Sequence, residues 1–368
     1  MTSQPAFNAP PTDFASRVQG TLMGGALGDS LGYLLTHDSL ATIKNKYGPA
    51  GLLDLSAANA PVHFSHCTQM TLYTVDGLLE VLEWANEGVG ADINACQWLA
   101  YLRWLKTQGV LVESAPEPLA RWIDSQSVLH HQRHPAKACL TGLGTGAMGT
   151  VFRPVNTESK DCGALVRSAP YGLLPNIPTE TVYKISSDAA SLTHGHPIAR
   201  QSAGTLSWLI HALAVGGMGL REAAESARNR AAVEPSADPD LLARLDTALT
   251  LSTLDRSDSS RSAPEPLCGT SLTDVLGQGN LAEEALAIAI FSVLATANAA
   301  SSPIDHFLQA VRIAVNHDGA SEATASIAGS ILGAFYGEDA LPPAWLTLSE
   351  APQLIRQLGS QFIRLTAG

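Results

Sequence analysis

Apolar residues recur every three or four positions along most of this chain, the period of helices that bury one face. Between 68 and 87, Met70, Leu72, Val75, Leu78, Leu79, Leu82 and Trp84 keep that spacing, and 92–107 (DINACQWLAYLRWLKT) repeats it. The same pattern predicts helices over 197–214, 220–232, 239–254, 281–298, 303–315, 321–336 and 350–363. A shorter helix is expected over 38–48, opened by Asp38 or Ser39 as N-cap and stopped before Gly48-Pro49. Period-two alternation is confined to short pieces such as 163–168, so almost no sheet is expected. Residues 255–269 (DRSDSSRSAPEPLCG) are loop by composition. The pattern therefore predicts an all-α, single-domain bundle of a dozen or more helices over residues 15–368, preceded by a disordered tail at 1–14.

One helical segment has a special surface. In ASRVQGTLMGGALGDSLGY (15–33), Gly20, Gly24, Gly28 and Gly32 stand four apart, a stripe that lets another helix backbone approach closely. A phosphate-binding loop is excluded there, because no Gly-Lys-Ser/Thr follows and no βαβ pattern precedes it.

Composition narrows the partners. The chain is 45% hydrophobic with only 6% aromatics, which favours closely packed helices over a β-sandwich. Its formal charge of −12 repels nucleic acid and anionic membranes, so any phosphate-bearing ligand has to be held locally. The five cysteines are scattered, with no CxxC, which argues against a disulfide framework or a zinc knuckle. The opening MTSQPAFNAPPTDF has no basic segment and no apolar core, and no apolar run reaches membrane length. A bacterial cytoplasmic protein is expected.

Several segments then stand out together. They are GGALGDSLGY (24–33), SLATIKNKYGPAGL (39–52), CTQMTLYTVDGLLE (67–80), KDCGALVRSAPYGLL (160–174), AASLTHGHPIA (189–199), LAEEALAIAIF (281–291) and NHDG…AGSILGAFYG (316–337). In this order they resemble the ADP-ribosylglycohydrolase family, which includes the dinitrogenase reductase-activating glycohydrolases. The resemblance implies an all-α fold with a central cleft. In active members that cleft holds two magnesium ions and releases ADP-ribose from a modified side chain or a related compound. Magnesium demands hard oxygen ligands in octahedral geometry, and two such ions can orient ribose hydroxyls and activate a water.

The resemblance also implies which residues should hold those ions, and here the chain departs from it. The family's Ser/Thr-Asp-Asp-Thr turn falls on FSHCTQMTL (64–72): Ser65 and Thr68 are kept, whereas His66 and Cys67 replace the two aspartates. The family's Asp-Gly-Asp-Ser-Asp-Ser/Thr motif falls on NHDGASEATASIAG (316–329). Asp318 and Gly319 match, but Ala320 and Glu322 replace the ligand aspartates and Ala323 the ligand hydroxyl. Thr36 stands where a glutamate is usual. Four aspartates can neutralise two divalent ions; one glutamate and one serine cannot. Loss of metal-dependent hydrolysis is the first expectation, leaving a pseudoenzyme that binds an ADP-ribose-like molecule or an ADP-ribosylated protein.

A hydrolase with altered chemistry is the alternative, with Glu322 and Asp318 as its carboxylates or with another metal. His66 and Cys67 suit zinc better than magnesium, but a single cluster without a second pair reads more simply as filler of a former cavity. Ser65, Thr68, Asp318 and Gly319 remain candidates for ligand contacts. Cys162, Gly163 and Ala164 join them, since the resemblance places their loop along the diphosphate. THGHP (193–197) is read as structural, with Pro197 opening a helix, and HHQRH (130–134) as solvated loop. Ala136, Lys137 and Ala138 stand where the family tends to show Gly-Asn-Thr, a departure that bears on ordinary substrate binding.

Overall fold

The computed structural model describes residues 13–253 and 267–367, so most of the expected tail and most of the 255–269 loop lie outside the described residues. Asp13 accepts a hydrogen bond from the Ser16 amide and caps α1 (Phe14–Tyr33). The α2 helix (Leu40–Tyr47) starts at Ser39, whose hydroxyl accepts from Thr42 N, and stops at Gly48, where φ is 94°. Next come α3 (His66–Asn86) and α4 (Ile93–Thr107), the latter capped by Asp92.

The middle of the chain holds α5 (Lys137–Gly144), α6 (Gly163–Val166), α7 (Thr179–Ala190), α8 (Pro197–Ala214), α9 (Leu220–Ala232) and α10 (Pro239–Leu251). The last third supplies α11 (Thr270–Leu276), α12 (Ala282–Thr296), α13 (Pro303–Val315), α14 (Ser321–Tyr336), α15 (Pro343–Leu348) and α16 (Pro352–Thr366). Among the described residues there is no strand, only the isolated bridges Val62–Ser349 and Asp161–Leu281. The alternation at 163–168 is corrected by α6: Gly163, Ala164, Leu165 and Val166 are all buried, so no polar face exists for a strand to present.

The glycine stripe sets the centre of the fold. α1 runs antiparallel to α14 at a separation only glycine allows: a Cβ on Gly28 would lie 2.1 Å from the Ala325 carbonyl oxygen. Gly24 meets Gly329 and Gly20 meets Gly333 in the same way, while Gly32 abuts the backbone of Glu322. The C-terminal end of α1 is thereby pinned to the N-terminal turn of α14. α3 packs on α1, with α4 and α16 outside it, and α12, buried on every side, carries α13 and α14. The site is built where the ends of α1, α3, α6 and α14 converge.

Candidate functional site

Asp29 is the anchor. It is fully buried near the end of α1, and its Oδ2 accepts from Ser65 N (3.0 Å), Thr68 N (3.0 Å) and Thr68 Oγ1 (2.5 Å). Ser65 is the N-cap of α3, its hydroxyl accepting from Cys67 N at 3.0 Å. One aspartate thus folds the whole turn at 65–68 and satisfies two of the amides that a helix start leaves free. The other oxygen, Oδ1, is buried without a hydrogen-bond partner. Burial pushes the Asp29 carboxyl up to about 6, against the lowering effect of its hydrogen bonds from Ser65 and Thr68.

Glu322 lies in the first turn of α14, beside Gly32. Burial raises it to about 7, the charge of Asp29 adds to the rise, and its own backbone amide opposes it. Burial of both carboxyls, with the charge of Asp29 acting on Glu322, therefore disfavours two negative charges there.

His66 and Cys67 occupy the next positions on α3. Burial lowers His66 to about 4, leaving a neutral imidazole whose Nδ1 is buried without a partner. Its Nε2 stands 3.9 Å from Cys67 Sγ. The Cys67 thiol is driven well above its usual range, first by burial and then by the charges of Asp29 and Glu322. A helix N-terminus normally favours a thiolate, but here two carboxyls and burial override it.

Toward a hard divalent cation the donor set is thin. Ala320 and Ala323 carry no side-chain oxygen, and His66 and Cys67 offer nitrogen and sulfur. Glu322, one oxygen each of Asp29 and Asp318, and the hydroxyls of Ser65 and Thr68 remain. Among the described residues no group of three or more His, Cys, Asp or Glu side chains is placed to hold a metal ion.

The second loop is held by contacts of its own. Asp318 Oδ1 accepts from Leu40 N at 2.9 Å, so this carboxylate ties down the start of α2 and the one beside Glu322 is Asp29. Gly319 sits at φ 114°, where a Cβ would lie 2.0 Å from the Gln278 carbonyl oxygen; its role is backbone clearance. His317 is fully buried and hydrogen-bonded to the carbonyls of Ala314 and Asp318 and to Thr324 Oγ1.

The 160–170 loop is braced from within. Cys162 N donates to Asn280 O (3.2 Å) and Gly163 N to Asp161 Oδ1 (3.0 Å), so neither amide is free for a diphosphate. Ala164 is fully buried in a cluster with Ala190 and Ala203. The partly exposed group is Asp161, which receives Ser159 Oγ at 3.0 Å and pairs with His194 Nε2 at 2.5 Å. Burial alone would raise Asp161, but the hydrogen bond and charge of His194 hold it well below the carboxylate range. Thr193 Oγ1 then links His194 Nδ1 (2.7 Å) to the buried guanidinium of Arg167 (2.7 Å), which lies over the Tyr101 ring. His196 caps α8 through Ile198 N. Pro197 opens α8, as its sequence suggests.

Three segments frame the outer edge. Thr36 Oγ1 donates back to Tyr33 O at 3.1 Å. In HHQRH the histidines and Gln132 are exposed, but Arg133 is not: it pairs with Glu350, donates to Phe64 O at 3.0 Å, and its own carbonyl accepts from His66 N at 3.1 Å. The expectation of a wholly solvated loop is corrected there, because a buried ion pair fastens the segment to the turn carrying His66. Ala136 and Lys137 start α5, with Ala138 and Cys139 buried beneath it. Sequence reasoning missed Asp29, Arg133 and Glu350. The available signal for Asp29 was a lone acidic residue inside an otherwise small and apolar helical stripe. Two surface hollows of about 560 and 610 Å³ lie elsewhere, one against Trp208 and Val233, the other against Leu346 and Arg356.

An all-α bundle whose first and last-third helices meet at a glycine seam, with both diagnostic loops at its end, defines a class. The family model for ADP-ribosylglycohydrolase matches residues 10–368, and the chain belongs to that family. A solved structure titled "ADP-ribosylglycohydrolase-related protein complex" shares the fold with a TM-score of 0.64 and 19% identity, over 96% of this chain and 99% of the other. No curated protein sequence matches the chain. Among the described residues no helix is long and apolar enough to cross a membrane.

Proposed function

We propose that this family member has lost metal-dependent hydrolysis and acts by binding an ADP-ribose-like ligand, free or on a modified protein, in the cytoplasm. The observation that carries the reading is the state of Glu322. It is the one carboxylate left at the six family ligand positions, and it is partly buried near Asp29 with a raised affinity for a proton. On this reading a proton takes the place of a divalent ion there. Thr36, at the family's glutamate position, has its hydroxyl turned onto Tyr33 O. What supports ligand binding is more modest: Cys162, Asp161 and Glu322 are each only partly buried, and the charges of the two carboxylates both reach the Cys162 thiol.

The test is restoration. Purified protein should release no ADP-ribose from ADP-ribosyl-arginine in the presence of magnesium. The combined variant Thr36→Glu, His66→Asp, Cys67→Asp, Ala320→Asp, Glu322→Asp and Ala323→Thr should gain magnesium binding measurable by calorimetry. Turnover by the unmodified chain would overturn the proposal.

A second reading rests on the same carboxyl. A buried glutamate held near 7 has the proton affinity of a general acid in glycoside cleavage. It makes the protein a metal-independent ADP-ribosyl hydrolase, with activity that survives chelators and is abolished by Glu322→Gln.

A further inference from the structure

The two exposed histidines at the outer edge, His37 and His134, are left unexplained by the reading above. They belong to segments far apart in sequence, the α1–α2 connection and the stretch before α5, yet His37 Nε2 and His134 Nδ1 stand 3.2 Å apart. Their rings meet edge to face with centroids 4.8 Å apart, and the Tyr33 ring stands against His134 at 5.7 Å. Both residues hold left-handed backbone, with φ of 71° and 52°, a conformation that crowds Cβ against the carbonyl and is uncommon outside glycine. Such backbone persists where surrounding contacts impose it, and it clusters at ligand clamps. Here it occurs on both sides of one contact.

We propose that His37 and His134 form a two-histidine clasp for a borderline transition-metal ion such as Zn²⁺, with water completing its shell. The spacing suits it: two imidazole nitrogens at a zinc–nitrogen distance of about 2.0–2.1 Å in a tetrahedral site lie roughly 3.3 Å apart. An imidazole pair offers the borderline nitrogen donors that zinc, nickel or copper select and magnesium does not. Both rings are open to solvent, unlike His66 and Cys67. The neighbouring charges do not compete for the pair, since Arg133 is engaged by Glu350 and Asp38 lies toward Lys46. The bound ion would tie the turn after α1 to the segment that carries Arg133, across the outer edge of the site.

Calorimetric titration of the purified full chain with Zn²⁺, repeated with Co²⁺ for its visible absorption, tests the clasp. One ion per chain is expected, with His37→Gln and His134→Gln each weakening binding at least about tenfold while circular dichroism stays unchanged. His66→Gln should leave the titration as it was. No binding by the unmodified chain, binding by either outer-edge variant as tight as by the unmodified chain, or loss of binding in His66→Gln alone would overturn the proposal.

Discussion

Asp29 and Glu322 are carboxyls of the candidate site that can be titrated. Both have folded-state proton affinities raised by burial, to about 6 and about 7. A carboxyl raised in this way contributes stability that is full below its unfolded pKa and lost as pH rises through the folded value. Glu322→Gln cannot ionise, so its stability relative to the unmodified chain should improve between pH 5 and pH 8, by on the order of 1 kcal/mol or more. Urea denaturation at the two pH values measures this; an unchanged difference would mean that Glu322 is ionised throughout. His66, lowered to about 4 by burial, works in the opposite sense, losing stability on acidification. For that reason the variant difference is the informative quantity. The sequence names Glu322, His66 and Cys67 as replacements, but it does not show that Asp29 faces Glu322. Asp318 was the natural guess, and only the fold turns its carboxylate onto Leu40 N.

At the level of elements, periodicity located most of the long helices to within a few residues, because each buries one face against a shared core. Short elements were harder. α5, α6 and α11 have eight residues or fewer, too little for a helical period to show, and their conformation is set by what they pack on. The glycine stripe was legible as close packing, but not its partner. Gly28→Ala tests it: the substitution gains about 1 kcal/mol of helix propensity yet places a Cβ 2.1 Å from Ala325 O. Overpacking of about 1–3 kcal/mol or more should win, so denaturation is expected to show net destabilisation. The Arg133–Glu350 pair is the second element-scale joint, holding the 130–134 segment to the chain before α16. Glu350→Ala leaves a buried guanidinium without its carboxylate and should cost about 3–5 kcal/mol. A loss under 1 kcal/mol in that experiment would mean that Arg133 finds water or another acceptor.

For the molecule as a whole, the proposed function separates the family's architecture from its chemistry. The helix seam between α1 and α14, the N-cap at Ser65 and the α13–α14 turn all place side chains where a dinuclear centre would be assembled. The side chains placed there are those of Ala320, Ala323, His66 and Cys67, and a buried carboxyl pair stands among them. Ligand binding without magnesium is the central claim that follows. Calorimetry with ADP-ribose, run in magnesium and again in a chelator, tests it most directly. The account predicts the same affinity in both buffers; binding that appears or tightens only with magnesium would contradict it.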